Sequence, residues 1–415
     1  MRWENLLSGL FLSAALPCAL AHGIHAATTA AEEDQEPAVT QEQLDELQAK
    51  WGQGWSFTGI STFGHLKHYE CLLDPSINYD IAIVGAPFDT AVSYRPGARF
   101  GPRAIRAASA RQMPPNTYNT RAGINPYMSW AKVVDCGDIP VSPMDNGVAE
   151  RQLKQAFFEL GNRKSINVHP GIAGQRPKLI TLGGDHSITL PALRALYKIY
   201  KKPITVIHFD AHLDTWNPVR YSAYWTSEQS RWNHGSFFHT ASVEGLISNT
   251  SSVHAGLRTR LTGVSDSDYT NPGPEQGFYR IHADDIDDIG PKGVIEAIIR
   301  RTGIDPEQPV YLSLDIDVLD PGIAPGTGTP EPGGWTTREL IRILRGIEDL
   351  NVVGADIVEV SPSYDGNGEA TALAAAQVGF EFLTSMVKLG VDGVGGWYGA
   401  KTAEQEEKVL EKDEL

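Results

Sequence analysis

Asp210, His212 and Asp214 stand at alternate positions of the run HFDAHLDTW, residues 208–216. In an extended chain, side chains two apart point the same way. This spacing therefore aims two carboxylates and an imidazole at one place. A buried carboxylate without a partner costs several kcal/mol or takes up a proton, so a positive group belongs there. Three other segments carry the same chemistry. GGDHS holds Asp185 and His186, SLDIDVLDP holds Asp315 and Asp317, and ADIVEVSP holds Glu359. Singly, each has a plain reading, because a strand-end aspartate often caps the next helix and a lone histidine is usually a core or surface residue. Jointly, His186, Asp210, His212, Asp214, Asp315 and Asp317 are enough to hold two divalent cations if some aspartates bridge. Carboxylate-dominated ligation with some imidazole suits Mn²⁺, with Zn²⁺, Co²⁺ or Ni²⁺ as alternatives. The lack of thiolates argues against a structural zinc site. Two ions ~3.5–4 Å apart polarise a shared water toward hydroxide. The four aspartates balance both ions, and a bridging hydroxide leaves one negative charge. With Glu359 nearby, such a site favours a cationic substrate.

These residues need a frame that brings distant segments together. Strand patterns occur at 81–85, 132–137, 178–183, 204–210, 253–258, 279–283, 310–318 and 352–360. Most are continuously apolar, as in strands covered on both faces. Helical patterns lie between many of them: VAERQLKQAFFELGN, TLPALRALYKIY, GVIEAIIRR, TRELIRILRGIEDL and the closing ATALAAAQVGFEFLTSMVKL. This alternation predicts a single α/β domain on a mostly parallel sheet. In such sheets ligands bind at the carboxyl ends of the strands, where the loaded residues fall.

GGDHS, DAHLD, SLDIDVLDP and EVSPSYD resemble, in this order, the signature blocks of the ureohydrolases, the arginases and agmatinases. The likeness runs from IAIVGAPFDT to GFEFLTSMV, and PFDTAVSYRPGARFGPRAIR (87–106) is closer to the agmatinase and guanidinobutyrase branch. It implies a three-layer sandwich around an eight-stranded, mostly parallel sheet, with two Mn²⁺ per subunit. One ion would be held by His186, Asp210, Asp214 and Asp315, the other by His212, Asp210, Asp315 and Asp317. Asp214 would also accept a hydrogen bond from the hydroxide, which attacks the guanidino carbon to release urea and an amine. Glu359 would orient the guanidinium, and His234, in WNHGSFFH, would carry protons to the leaving amine. Asp185 and His208 match no ligand position and read as packing or supporting residues. Trimers or hexamers are the family's habit.

The connection TWNPVRYSAYWTSEQSRWN, 215–233, looks longer than usual and carries Trp216, Tyr221, Tyr224, Trp225 and Trp232. It reads as a lid over the substrate or as a packed surface insertion. Its charges fit different substrates: Glu228 an ammonium tail as in agmatine, Arg220 or Arg231 a carboxylate tail as in guanidinobutyrate. Agmatine ranks first and guanidinobutyrate second. Arginase is disfavoured because the stretch after Asp214 lacks the Asn and Ser pattern for an amino-acid head. A non-catalytic relative is disfavoured because every ligand position, His234 and Glu359 are intact, and a single-metal deacetylase would not need both Asp317 and Glu359.

The net charge of −16 argues against nucleic acid, whose binders carry a basic patch, but not against cationic small molecules. MRWENLLSGLFLSAALPCALAHG has an arginine, a short apolar run and an Ala-Leu-Ala end, the pattern of a signal peptide cut after Ala21. No later segment looks long and apolar enough to cross a bilayer. Residues 22–40 read as a disordered leader, 41–400 as the ureohydrolase domain and 401–415 as a tail ending in Lys412-Asp413-Glu414-Leu415. Signal and tail together predict the endoplasmic-reticulum lumen, where Asn249 is a candidate glycosylation site. Outside the signal only Cys71 and Cys136 remain; a bridge is permitted there, and two free thiols are the expectation.

Overall fold

The computed structural model describes residues 40–52, 54–167, 176–221, 225, 227–261 and 277–392. The signal segment, the leader up to residue 39 and the tail from 401 lie outside them. The chain divides into two units, Met1–Gly54 and Trp55–Leu415. The first holds helix α1, Gln41–Trp51, begun by a capping box in which Thr40 and Gln43 serve each other's backbone N–H. Such a cap adds ~1 kcal/mol.

The second unit is built on eight strands: β1 Ile81–Ala86, β2 Val133–Asp138, β3 Lys178–Gly183, β4 Thr205–Phe209, β5 Val253–Leu257, β6 Tyr279–His282, β7 Val310–Asp315 and β8 Val352–Val358. They form one sheet in the order β2-β1-β3-β8-β7-β4-β5-β6, and every pairing is parallel. "Mostly parallel" thus becomes wholly parallel. The strands carrying the loaded residues, β3, β8, β7 and β4, are consecutive at the centre of the sheet. That adjacency brings His186, Glu359, Asp315 and Asp210 together from four parts of the chain.

Helices cover both faces: α2 Gly101–Ala108, α3 Asn146–Gly161, α4 Thr189–Tyr200, α5 Phe237–Val243, α6 Asp285–Thr302, α7 Thr337–Gly346 and α8 Ala370–Asp392. The strands alternate between two apolar cores. Ile81, Ile83, Ile207 and Leu314 face α6, α7 and α8, while Ala82, Val84 and Val206 face α3, α4 and α5. This is the three-layer sandwich. Because both faces are dry, the strands read as continuous apolar runs.

Local chemistry shifts some boundaries. β7 stops at Asp315, earlier than its apolar run suggests, because the Asp315 carboxylate accepts the N–H of Asp317 at 2.8 Å and folds Ile316–Val318 into a turn. Helix α6 starts well before the GVIEAIIRR pattern; two helical stretches join across Gly290, whose φ of 64° breaks the 3.6-residue rhythm ahead of Pro291. The segment Ala370–Gly390 does reach the length and hydropathy of a bilayer span, and 83% of its most apolar window is buried inside the fold. It is the helix that closes the core.

Cys71 and Cys136 are bridged rather than free, with their Cα atoms 5.2 Å apart. His68 pairs with Asp135 beside β2, and the Tyr69 N–H donates to the Asp135 carbonyl at 2.9 Å. This pairing, invisible in the sequence, sets Cys71 against Cys136.

Candidate active site

The decisive residues lie at the carboxyl ends of the four central strands, and nearly all are buried. Asp210, His186, Asp315, Asp317 and Glu359 are each no more than 3% exposed. His186 follows β3 in a turn capped by Asp185. Asp210, His212 and Asp214 follow β4, where the Asp210 Oδ1 accepts the His212 N–H at 2.5 Å. Asp214 and Glu359 adopt φ of 55° and 61°, the left-handed region that bulky residues avoid. Such strain concentrates at working sites.

The tautomer of His186 is fixed from behind. Ser313 Oγ gives its single hydrogen to Asp356 Oδ1 at 2.8 Å, so it accepts from His186 Nε2–H at 2.8 Å. Asp356 is held in turn by the hydroxyls of Thr189 and Tyr311. The His186 Nδ1 lone pair therefore faces forward. There it meets Asp210 Oδ2 and Asp214 Oδ2 at 3.1 Å and Asp315 Oδ2 at 3.4 Å, with no hydrogen-bond partner. One proton on Nδ1 would satisfy only one of three carboxylates. A cation satisfies all four atoms.

A second group adjoins the first. His212 Nδ1 lies 3.2 Å from Asp210 Oδ1 and 3.1 Å from Asp317 Oδ2, and Asp210 belongs to both groups. Burial, Asp317 and Asp210 push the Asp315 carboxyl well above the usual carboxylate range. Burial and Asp210 likewise raise Asp317. These aspartates cannot all ionise unless cations join them. The donor set is thus a buried His/Asp metal-binding cluster, all oxygen and imidazole.

The supporting residues complete the picture. His208 stands with His186, Asp210 and Asp214 within 4.8 Å, but its Nε2 bonds Asp210 Oδ2 at 2.9 Å and its Nδ1 meets His254 Nδ1 at 2.8 Å. It steadies Asp210. Burial, with His208 and Arg280 nearby, holds His254 well below the ordinary histidine value. Asp185 accepts from the backbone of Ser187 and Ala91, each at 3.0 Å, and burial together with Glu359 pushes it up to about 7. It ties a neighbouring loop to the His186 turn.

Glu359 and His234 sit beside the cluster. Glu359 Oε1 accepts the His186 N–H at 2.9 Å and lies 3.5 Å from His234 Nδ1. Its Oε2 is buried without a partner. Gly328 stands next to it; a Cβ there would come within 3.2 Å of that oxygen. Burial opposes charge on His234, but Glu359, Asp214 and Asp185 outweigh it and raise its pKa.

The 215–233 connection splits between the two readings. Trp232 is 7% exposed, stacks on Phe88 at 4.7 Å and donates to the Ser187 carbonyl at 2.8 Å. The Trp216 ring packs over Gly235. Trp232 belongs to the core, and Trp216 is half-buried. Trp225 is 84% exposed; Tyr224 and the side chains of Arg220 and Tyr221 lie outside the described residues. Glu228 and Arg231 face one another at 3.8 Å and line a separate cleft of about 740 Å³ with Asp145, Arg194 and Glu244. The lining of that cleft includes none of the metal-cluster residues.

Ser313, His254 and Asp356 were not singled out by the sequence. Asp356, a carboxylate inside an apolar run, and Ser313, two residues before Asp315, were the available signals.

The pattern described as the arginase family matches residues 79–384. The chain belongs to the arginase family. Among its relatives, "Putative agmatinase 1" of Schizosaccharomyces pombe is 51% identical over 337 residues, covering 80% of this chain and 83% of the relative. "Agmatinase" of Chromobacterium violaceum is 38% identical over 74% of this chain and 84% of its own. Among solved structures, proclavaminate amidino hydrolase from Streptomyces clavuligerus superposes with a TM-score of 0.68 at 35% identity, over 81% of this chain and 100% of that one. The arginase-family match covers all four site segments and His234.

Proposed function

We propose that this arginase-family enzyme is a binuclear manganese amidinohydrolase that hydrolyses agmatine to putrescine and urea. The observation that carries the reading is Glu359 Oε2, a buried carboxylate oxygen without a partner, at the edge of a metal-binding cluster. It calls for a cationic, hydrogen-bond-donating group, and a guanidinium fits. The agmatinase names of the relatives favour agmatine over other guanidino compounds.

In this reading His186, Asp210, Asp214 and Asp315 would hold one ion, and His212, Asp210, Asp315 and Asp317 would hold the other. When bound, the two ions supply a water of lowered pKa and a Lewis acid. Glu359 holds the guanidinium through Oε2 while its Oε1 stays fixed by the His186 N–H. Asp214, strained into position, accepts a hydrogen bond from the attacking water. His234 keeps a proton on the side facing Glu359, where the departing amine nitrogen collects it. Parallel assays of urea release from agmatine, guanidinobutyrate and arginine, with Mn²⁺ added, test this. Agmatine should be preferred; equal or better release from guanidinobutyrate would overturn the substrate assignment.

We also propose residence in the endoplasmic-reticulum lumen. The amino-terminal signal pattern and terminal Lys-Asp-Glu-Leu motivate it, and the Cys71–Cys136 bridge supports it, since disulfides persist in oxidising compartments. Removing the last four residues should send the protein to the medium; full-length protein found in cytosol would refute the assignment.

A further inference from the structure

His234 is 8% exposed, yet a proton donor must be reloaded on each turnover. Its two ring nitrogens face different surroundings. Nδ1 faces Glu359 Oε1 at 3.5 Å. Nε2 meets the Ser93 backbone N–H at 3.0 Å and Ser93 Oγ at 2.8 Å. A backbone N–H only donates, so Nε2 is the acceptor and the ring proton sits on Nδ1, toward the site. Ser93 itself is exposed to solvent.

The loop carrying Ser93 is built to hold that contact. Asp89 Oδ2 accepts the N–H of Gly97 at 2.8 Å and of Arg99 at 3.3 Å, closing the loop's base. Ala91 donates to the buried Asp185 at 3.0 Å and accepts the His234 N–H at 3.2 Å. Asp185, next in sequence to His186, is thereby the anchor of a loop that would otherwise reach His234 by chance.

We propose that Ser93 is the proton port of His234, a positioning residue whose hydroxyl links the buried imidazole to solvent. As the Nδ1–H bond breaks and its proton passes to the departing amine, the Nε2 lone pair takes the Ser93 Oγ hydrogen. Ser93 Oγ takes a hydrogen from water in the same movement. One proton goes from solvent to the amine, and the imidazole ends neutral with its proton on Nε2. The Nε2–H now opposes the Ser93 backbone N–H, so the ring reverts once product leaves: a water in the emptied site gives Nδ1 a hydrogen while Nε2 returns one through Ser93 Oγ to solvent. The hydroxyl is the only one of the two Ser93 groups able both to donate to Nε2 and to accept from Nε2–H. The charged groups around the ring, Glu359, Asp214 and Asp185, are all acidic and none offers Nε2 a hydrogen.

This inference rests on the proposed hydrolase activity, and its test separates the two. Ser93→Ala should lower kcat roughly tenfold, less than the ~10²–10⁴-fold that a positioned acid–base group supplies. KM and bound metal should not change. Ser93→Thr, which keeps a hydroxyl, should restore kcat. Unchanged kcat in Ser93→Ala, or equal losses in both variants, would overturn the proposal. A second readout needs no turnover: ¹⁵N-imidazole spectra of the Mg²⁺-loaded protein, assigned with His234→Ala. Wild type should show His234 protonated on Nδ1, and the Nε2 resonance should move in Ser93→Ala but not in Ser93→Thr. A His234 protonated on Nε2, or an unmoved resonance, would defeat the proposal. Wild type that shows the expected spectrum but releases urea from no guanidino compound would instead defeat the activity reading.

Discussion

Glu359 Oε1 accepts the backbone N–H of His186 at 2.9 Å, so the residue facing the proposed substrate is bolted to a residue of the metal cluster. The other oxygen is left without a partner. Glu359→Gln can keep the first bond through its amide oxygen while replacing the second oxygen by an NH₂ group, which a guanidinium cannot use. A hydrogen bond to a charged group contributes ~1.5–3 kcal/mol, or roughly 10–150-fold. A loss of that size in kcat/KM for agmatine, with metal content unchanged, is the expected result. Steady-state kinetics beside elemental analysis check it.

Asp210 belongs to both ligand groups, whereas His212 belongs to one. Asp210→Ala should empty both positions and abolish turnover. His212→Ala should leave the group around His186 able to bind. Metal counted per subunit after dialysis decides between them; equal metal loss in the two variants would contradict the shared role of Asp210.

The Cys71–Cys136 bridge closes a separation of 65 residues. In the chain-entropy account a loop of this length contributes ~4 kcal/mol by constraining the unfolded chain. The double variant Cys71→Ala, Cys136→Ala should unfold at a lower denaturant concentration by that order. Because β2 lies at the sheet's edge, away from the four central strands, its specific activity at room temperature should hold. Chemical denaturation and urea release measure the two halves of this expectation.

Burial pushes Lys178, at the start of β3, down to about 8. In the unfolded chain a lysine keeps its proton to about 10.4. Between these values the unfolded chain binds more protons, so this residue makes stability rise with pH. Below about 8 the full cost of burying the charge is present. Lys178→Met should therefore be more stable than wild type at pH 7, with the gap narrowing as pH climbs toward 10. Paired denaturation curves at both pH values show whether it does.

Much of the fold was legible because its signals are local. Most strands are dry apolar runs, and Thr40 caps its helix through a side chain three residues from its partner. The site's chemistry was legible too, since residue types and spacing single out Asp210, His212 and Asp214, but β4 ends at Phe209 and these residues are brought together by a turn, with Asp214 at a φ of 55°, rather than by strand alternation. Boundaries were less so: β7 ends where Asp315 turns back on Asp317, and α6 crosses Gly290, neither of which an apolar pattern records.

The tertiary structure alone decided what depends on strand order and on atoms facing one another across the fold. The sequence names His186, Asp210, Asp315 and Glu359, but only the order β3-β8-β7-β4 sets their strands side by side. The tautomer of His186 depends on Ser313 and Asp356, on two other strands. The pairing of Cys71 with Cys136 depends on a bridge between residues 68 and 135. The contact of Ser93 with His234 spans 141 positions. Residue types and local spacing limit which chemistry a chain can perform. Which nitrogen carries a proton, and which oxygen is left without a partner, is settled by long-range packing, because hydrogen bonds act over about 3 Å whatever the distance along the chain.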